Sequence, residues 1–175
     1  FRVEHGELAI NNGGLVSNTN SFISGADGAS RISVDGSGSS LNSSAINVGD
    51  SHAGTLTISN DGSVTATAAN GGVLLGSSTA TGTLNIGAAA GNSAVTAGTL
   101  SADRVTFGSD NSKIVFNHTG SDYTFATDIA GNGEVELYSG LTNLTGSSSY
   151  SGSTRVIGGT LKVNNLSGSA TGSSS

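Results

Sequence analysis

Twelve carboxylates, three histidines and many serine hydroxyls are the side chains of this sequence that could do chemistry. Carboxylates paired at a fixed separation would serve glycosidic bond cleavage, one as acid and the other as base or nucleophile. Here they are dispersed: Asp27, Asp35, Asp50, Asp61, Asp103, Asp110, Asp122 and Asp128, with Glu4, Glu7, Glu134 and Glu136. Most of the aspartates stand beside Gly, Asn or Ser, where turn formation accounts for them. Glu134 and Glu136 share one face of a strand, with Val135 and Leu137 on the other, so the pair is expected at a solvated edge.

His5, His52 and His118 stand alone, without metal-ligand spacing, and no Gly-x-Ser-x-Gly elbow accompanies them. Ser63, His52 and Asp50 can be combined into a triad on paper, as any serine-rich chain allows. Gly36-Ser37-Gly38 after Asp35, and Asp61-Gly62, match pieces of a nonapeptide calcium motif. That motif must recur every nine residues to build a site between turns, and here it does not. The expectation is a chain with no catalytic residue, no metal, no cofactor and no enzymatic activity.

The composition sets what could position such residues. Gly, Ser, Thr and Asn make up over half of the 175 residues, while Cys, Pro, Met and Trp are absent and the net charge is −6. Six Lys and Arg cannot neutralise a run of phosphates, so nucleic acid is excluded as a partner. No apolar run approaches the ~20 residues of a membrane-spanning helix. Without Cys there is no disulfide framework and no thiolate site. The chain starts at Phe1 with no basic segment followed by an apolar stretch, and is read as a fragment of a longer protein.

An apolar-x-apolar triplet recurs: Leu8-Ala9-Ile10, Ile32-Ser33-Val34, Leu56-Thr57-Ile58, Leu84-Asn85-Ile86, Ile114-Val115-Phe116, Val135-Glu136-Leu137 and Leu161-Lys162-Val163. The spacings are 24, 24, 28, 30, 21 and 26 residues. Within the unit from 54 to 81, three short alternating runs are separated by Asn60-Asp61-Gly62 and Asn70-Gly71-Gly72, turn chemistry that tolerates positive φ. Three strands cannot bury an apolar face alone. Stacking the units places Leu8, Ile32, Leu56 and Leu84 in one column and Ile10, Val34, Ile58 and Ile86 in the next, which is an all-β, right-handed parallel β-helix, a three-sided solenoid of about seven rungs. A sandwich of antiparallel hairpins is the rival that the same turns would permit. Residues 1–166 read as one continuous solenoid, its cut ends exposing apolar edges, and 167–175 as a flexible Gly/Ser tail unless it turns into a following rung.

The C-terminal third carries a sharper pattern. Leu144-Thr145-Gly146, Tyr150-Ser151-Gly152, Thr154, Val156, Gly158-Gly159-Thr160-Leu161 and Val163 closely resemble the passenger-associated transport repeat of bacterial autotransporters. Upstream, Val115 to Gly120, Tyr123, Phe125 and Ile129 to Gly133 look like the segment that commonly precedes it, and Gly82 to Gly87 resembles further repeats of the family. Asn143, Ser153 and Arg155 depart from the pattern and leave its apolar skeleton intact.

The resemblance implies a secreted passenger domain of type V secretion, translocated unfolded through its own C-terminal outer-membrane β-barrel to the cell surface, with residues 107–163 assisting folding. Residues 107–150 hold all three Tyr and three of the five Phe, and are expected to be the folding nucleus, the alternative being that the aromatics merely fill a wider coil. The function so implied is that of an adhesin in cell adhesion, autoaggregation or biofilm formation, and hence in virulence. Its partners would be a host-cell or extracellular-matrix receptor, a glycan, or a copy on another cell. The alternatives are an inert stalk displaying a distal tip and a carbohydrate-active β-helix enzyme. Asp at Val156 or Leu161 is expected to block folding.

Overall fold

The load of Gly, Ser, Thr and Asn disfavours helices, and alternation of apolar with small polar residues sets a period of two. The computed structural model describes residues 1–23, 28–68, 72–165, 167 and 169–172, and contains twenty strands and no helix among them. Asp27, Asn70, Gly71 and Leu166, on which parts of the turn and boundary expectations fall, lie outside the described residues.

The strands wind into three walls, one strand per wall in each of the first six coils, while the seventh adds strands to the second and third walls. The first wall stacks β1 (Arg2–Val3), β4 (Asn20–Ile23), β7 (Ala45–Val48), β10 (Gly72–Leu75), β13 (Arg104–Phe107) and β16 (Asp128–Gly131). The second stacks β2 (Gly6–Ile10), β5 (Ser30–Asp35), β8 (Gly54–Ser59), β11 (Gly82–Gly87), β14 (Lys113–Asn117), β17 (Glu134–Ser139) and β19 (Thr154–Val156). The third is split in two: β3 (Leu15–Ser17), β6 (Ser40–Ser43), β9 (Ser63–Ala66) and β12 (Thr99–Ala102), then β15 (Tyr123–Phe125), β18 (Leu141–Leu144) and β20 (Thr160–Val163). Every pairing between these strands is parallel. Seven strands in the longest wall give seven coils, so the chain is a parallel β-helix and the antiparallel sandwich is excluded.

The expected columns stand in register. Leu8 faces Ile32, Leu56, Leu84, Ile114 and Val135 in turn, and Ile10 begins the parallel column Val34, Ile58, Ile86, Phe116 and Leu137. All but Leu8 are buried, and each fully buried aliphatic side chain contributes about 1.5–3 kcal/mol. The unit from 54 supplies β8, β9 and β10, and its first turn holds Asn60 and Asp61 at φ of 49° and 65°, the left-handed region these residues tolerate. Towards the C-terminal end rings take over the interior: Phe116 and Phe125 meet edge to face at 5.2 Å between centroids, and Phe107 and Tyr150 at 6.1 Å.

Two expectations are corrected here. The triplet Leu161-Lys162-Val163 does not continue the second wall; it forms β20 on the third, where Leu161 pairs with Thr142 and Val163 with Leu144. The seventh place in the second wall belongs to β19, where Thr154 stacks on Val135 and Val156 on Leu137. That last coil is 19 residues long between paired positions because the stretch before β19 reaches the wall without a full first-wall strand. Val156 is 53% exposed and Leu161 only part-buried, so neither is the enclosed core position that an Asp substitution there presupposed.

Of the segment expected as a tail, Ser167 and residues 169–172 are described. Ser169 N–H donates to the Ser148 carbonyl at 3.3 Å, and Ala170 joins the hydrophobic core, so this stretch lies on the coil beneath it.

Candidate functional site

Outward-facing residues of the second wall stack into ladders just as the inward ones do. One runs Glu7, Arg31, Thr55, Thr83, Lys113 and Glu134; its neighbour runs Ala9, Ser33, Thr57, Asn85, Val115, Glu136 and Arg155. Bonds between coils tie the rungs together: Ser33 donates to Glu7 at 3.1 Å, and Asn85 to Thr57 at 3.0 Å. Asp35, at the end of β5, accepts from the Ser59 hydroxyl at 2.7 Å and the Asn60 amide at 2.8 Å through the same oxygen, Oδ1.

After β11 the chain leaves the solenoid for residues 88–97 before rejoining it through bridges from Val95 to His118 and from Ala97 to Ser59. Asn117, itself buried, fixes this excursion by donating its side-chain amide to the carbonyls of Ala89 and Asn92, both at 2.9 Å. The excursion stands as one side of an open groove of about 330 Å³ whose floor is the outer face of the second wall. Glu7, Arg31, Ser33, Asp35, Thr57 and Asn60 are on the floor, with Ala89, Asn92 and Val95 on the side. Arg31 and Glu7 approach each other only to 4.0 Å, with side chains 65% and 46% exposed.

Glu136 corrects the expected solvated edge. Its side chain is 3% exposed, held between Lys113 of the coil below at 3.4 Å and Arg155 of the coil above at 3.2 Å, with the Tyr138 hydroxyl also 3.4 Å away. Glu134 is part-buried and accepts from Ser153 at 3.0 Å. Two carboxylates two residues apart on a strand thus have different surroundings, and only one carries an ion-pair network.

The other candidates are separated by the fold. Asp50 and His52 lie in the turn between β7 and β8, whereas Ser63 opens β9 on another wall. Asp50 sits 3.8 Å from Arg2, Asp122 lies 4.0 Å from Lys162, and Asp128 accepts from the Ser147 N–H at 2.7 Å. Among the described residues no three His, Asp or Glu side chains converge as a metal-binding group.

His118 is fully buried. Its Nδ1 accepts from the Gly120 N–H at 3.1 Å, which leaves the ring proton on Nε2 to be donated to Thr142 Oγ1 at 2.8 Å. Burial holds the imidazole below its ordinary value of 6.5. Burial likewise pushes the Tyr123 phenol up, and its hydroxyl donates to the Gly98 carbonyl at 3.1 Å.

The positions matching the transport repeat run from the end of β18 through the last coil. Leu144 closes β18 facing the core, Tyr150 is fully buried with its hydroxyl on Thr154, and Thr160, Leu161 and Val163 lie in β20 after Gly158 and Gly159. Gly146 and Gly152 permit close coil-to-coil approach: a Cβ would lie 2.7 Å from the Thr127 carbonyl oxygen in the first case and 1.8 Å from that of Gly133 in the second. The groove and the Glu136 network were not read from the sequence. The signal for the groove was the 30-residue spacing after Leu84, the longest in the series, whose extra residues accommodate the excursion at 88–97.

No family model matches the chain, and no solved structure matches it significantly. Over 167 residues, 90% of its length, it is 40% identical to the uncharacterized lipoprotein YdeK of Escherichia coli (strain K12). Over 84 residues, 47% of its length, it is 42% identical to the adhesin BmaC autotransporter of Brucella suis biovar 1 (strain 1330). The chain spans 12% of the first relative and 2% of the second. Its similarity is therefore to short segments of long proteins, one of them an autotransporter adhesin, and not to a single defined repeat family.

Proposed function

We propose that this chain is a cell-surface segment of an autotransporter-type adhesin, a non-enzymatic β-helix that mediates attachment between cells or to a host surface. The observation that carries the reading is the combination of a seven-coil parallel β-helix with 42% identity to part of an autotransporter adhesin over 84 residues. The finer features belong to the same proposal: export through the protein's own outer-membrane barrel, the last coils acting as a transport repeat that helps the rest to fold, and roles in autoaggregation and biofilm. Partners would be a receptor, a glycan or a second copy. The relatives, a lipoprotein and an autotransporter, support a location in the envelope or at the surface.

A stalk without a ligand of its own is the second reading, favoured by the ladders, whose polar groups already bond to one another between coils. The two are separated by cells displaying the full-length protein with or without residues 1–106, compared at equal surface level. Loss of attachment supports adhesion by these coils, and unchanged attachment makes them a stalk.

A further inference from the structure

We propose that the groove between the second wall and the 88–97 excursion binds a neutral oligosaccharide, with Asp35, Glu7 and Arg31 taking its hydroxyl groups. The inference deepens the adhesive reading and rests on it.

The first argument is spare bonding capacity held in fixed places. Oδ1 of Asp35 is anchored by Ser59 and Asn60, while Oδ2 makes no hydrogen bond among the described residues. Arg31 meets Glu7 only at 4.0 Å and is largely exposed, so its guanidinium N–H groups face the groove unspent. Arg31 stacks on Glu7 in the ladder, a planar donor beside a planar acceptor, which matches a vicinal diol whose hydroxyls both donate and accept, and Asp35 offers a further acceptor four residues along the same strand face.

The second argument is exclusion of other partners. Glu7 and Asp35 against Arg31 leave the groove with a surplus negative charge, which repels phosphates, uronates and sulfated chains. The floor is the face of a continuous sheet, so it offers no free strand edge to an extended peptide, and among the described residues its only aliphatic lining larger than Ala is the fully buried Ile32 and the part-buried Val95, with no aromatic side chain to take a peptide's side chains. A volume of about 330 Å³ lies at the small end of ordinary ligand sites.

The third argument is rigidity. Asn117 ties the excursion at two carbonyls, so the groove stands formed before any ligand arrives and binding does not have to order a loop. An insertion on one face of a solenoid is also where repeat proteins commonly place recognition.

The test is a titration of the 175-residue chain with chitotetraose, mannotetraose and cellotetraose, with tetragalacturonate as the acidic control, read by saturation-transfer NMR and calorimetry. At least one neutral tetrasaccharide is expected to bind and tetragalacturonate to stay free. Asp35→Asn, Arg31→Ala and Glu7→Gln are each expected to weaken that binding by about tenfold or more, the scale of a lost hydrogen bond to a charged group. Arg31 and Glu7 are exposed, so these two variants keep the circular dichroism of the parent even if Asp35→Asn perturbs its turn. Absence of binding by all three neutral sugars, preference for the acidic one, or binding unchanged in the Arg31 and Glu7 variants would each overturn the proposal. If attachment of cells is lost without residues 1–106 while the neutral sugars do not bind, the adhesive reading stands and the saccharide site alone falls.

Discussion

His118 donates its Nε2 proton to Thr142 Oγ1 across 2.8 Å, from the end of one coil to the third wall of the next, while its Nδ1 takes the Gly120 N–H. Both ring nitrogens are thus committed with the imidazole neutral. A second proton would have to enter on Nδ1, against a donor, in a fully buried position.

The pH dependence of stability follows from that arrangement. The folded chain holds His118 below the 6.5 of an unperturbed imidazole, so in the window beneath 6.5 the unfolded chain binds the proton and the folded chain does not. Stability contributed by neutral His118 is fully present above 6.5 and declines as pH falls from there towards the lowered folded value. Urea midpoints between pH 5 and 7.5 are expected to fall with acidification, and His118→Gln is expected to flatten that slope while lowering the unfolding free energy at neutral pH by about 1 kcal/mol. An equal slope in the variant would assign the dependence to other groups.

Glu136 makes a different prediction. Its carboxylate is enclosed, but its cations are open to solvent to 35% and 58%, which screens the pairs. Lys113→Met alone leaves Arg155 in place and is expected to cost under about 1 kcal/mol. Removing both cations strands the charge and is expected to cost about 2 kcal/mol, below the 3–5 kcal/mol of fully buried pairs because of that exposure. The measurement is a double-mutant cycle in urea, where the two single losses should sum to less than the double.

Burial separates two substitutions that the repeat pattern treats alike. Phe116 is fully enclosed, in edge contact with Phe125, and Phe116→Ala is expected to cost about 3–5 kcal/mol. Val156, at 53% exposure, is expected to tolerate Asp in the 175-residue chain with a loss under about 1 kcal/mol. Thermal melts of the two variants should differ by many degrees, and similar melts would contradict the position of β19 at the open end of the wall.

Close backbone approach gives a third contrast. Gly152→Ala would set a methyl 1.8 Å from the Gly133 carbonyl oxygen, a backbone atom that cannot swing aside, so the last coil must separate from the one beneath. Gly13→Ala meets nothing within 4 Å and carries only the cost of a φ of +79°, about 1–2 kcal/mol. Amide exchange in 147–163 should rise sharply in the first variant and stay unchanged in the second.

Much of the fold was legible because its determinants are local and periodic. The triplets at Leu8, Ile32, Leu56, Leu84, Ile114 and Val135 stack in the register their spacing requires, since a period-two strand can bury only one face. The spacing failed at Leu161, where a 26-residue interval looked like one coil although β19 had already taken the wall after 19 residues. The triplet pattern alone does not distinguish walls, because Leu-x-Val faces inward equally well on the second and the third. The groove was hidden for another reason. Glu7 comes from the first coil, Arg31 and Asp35 from the second, Thr57 from the third and the excursion from the fourth, so their proximity is a product of stacking and not of sequence spacing.

The excursion itself supplies the last prediction. Asn117 is buried at the end of β14, and its amide holds the carbonyls of Ala89 and Asn92, a coil away, in place of the water they would otherwise bind. The Ala88 N–H donates to the Asn117 carbonyl at 2.8 Å, so one residue fixes both the root and the middle of the loop. Asn117→Ala removes the side-chain bonds and keeps the backbone one. Each lost bond costs about 1 kcal/mol locally, enough to raise opening of the loop several-fold or more without unwinding the coils. Hydrogen exchange at 88–95 is expected to accelerate while amides of β8, β11 and β14 keep their protection. Uniform acceleration across the second wall would show that Asn117 supports the solenoid as a whole and that the groove's side is not an independent element.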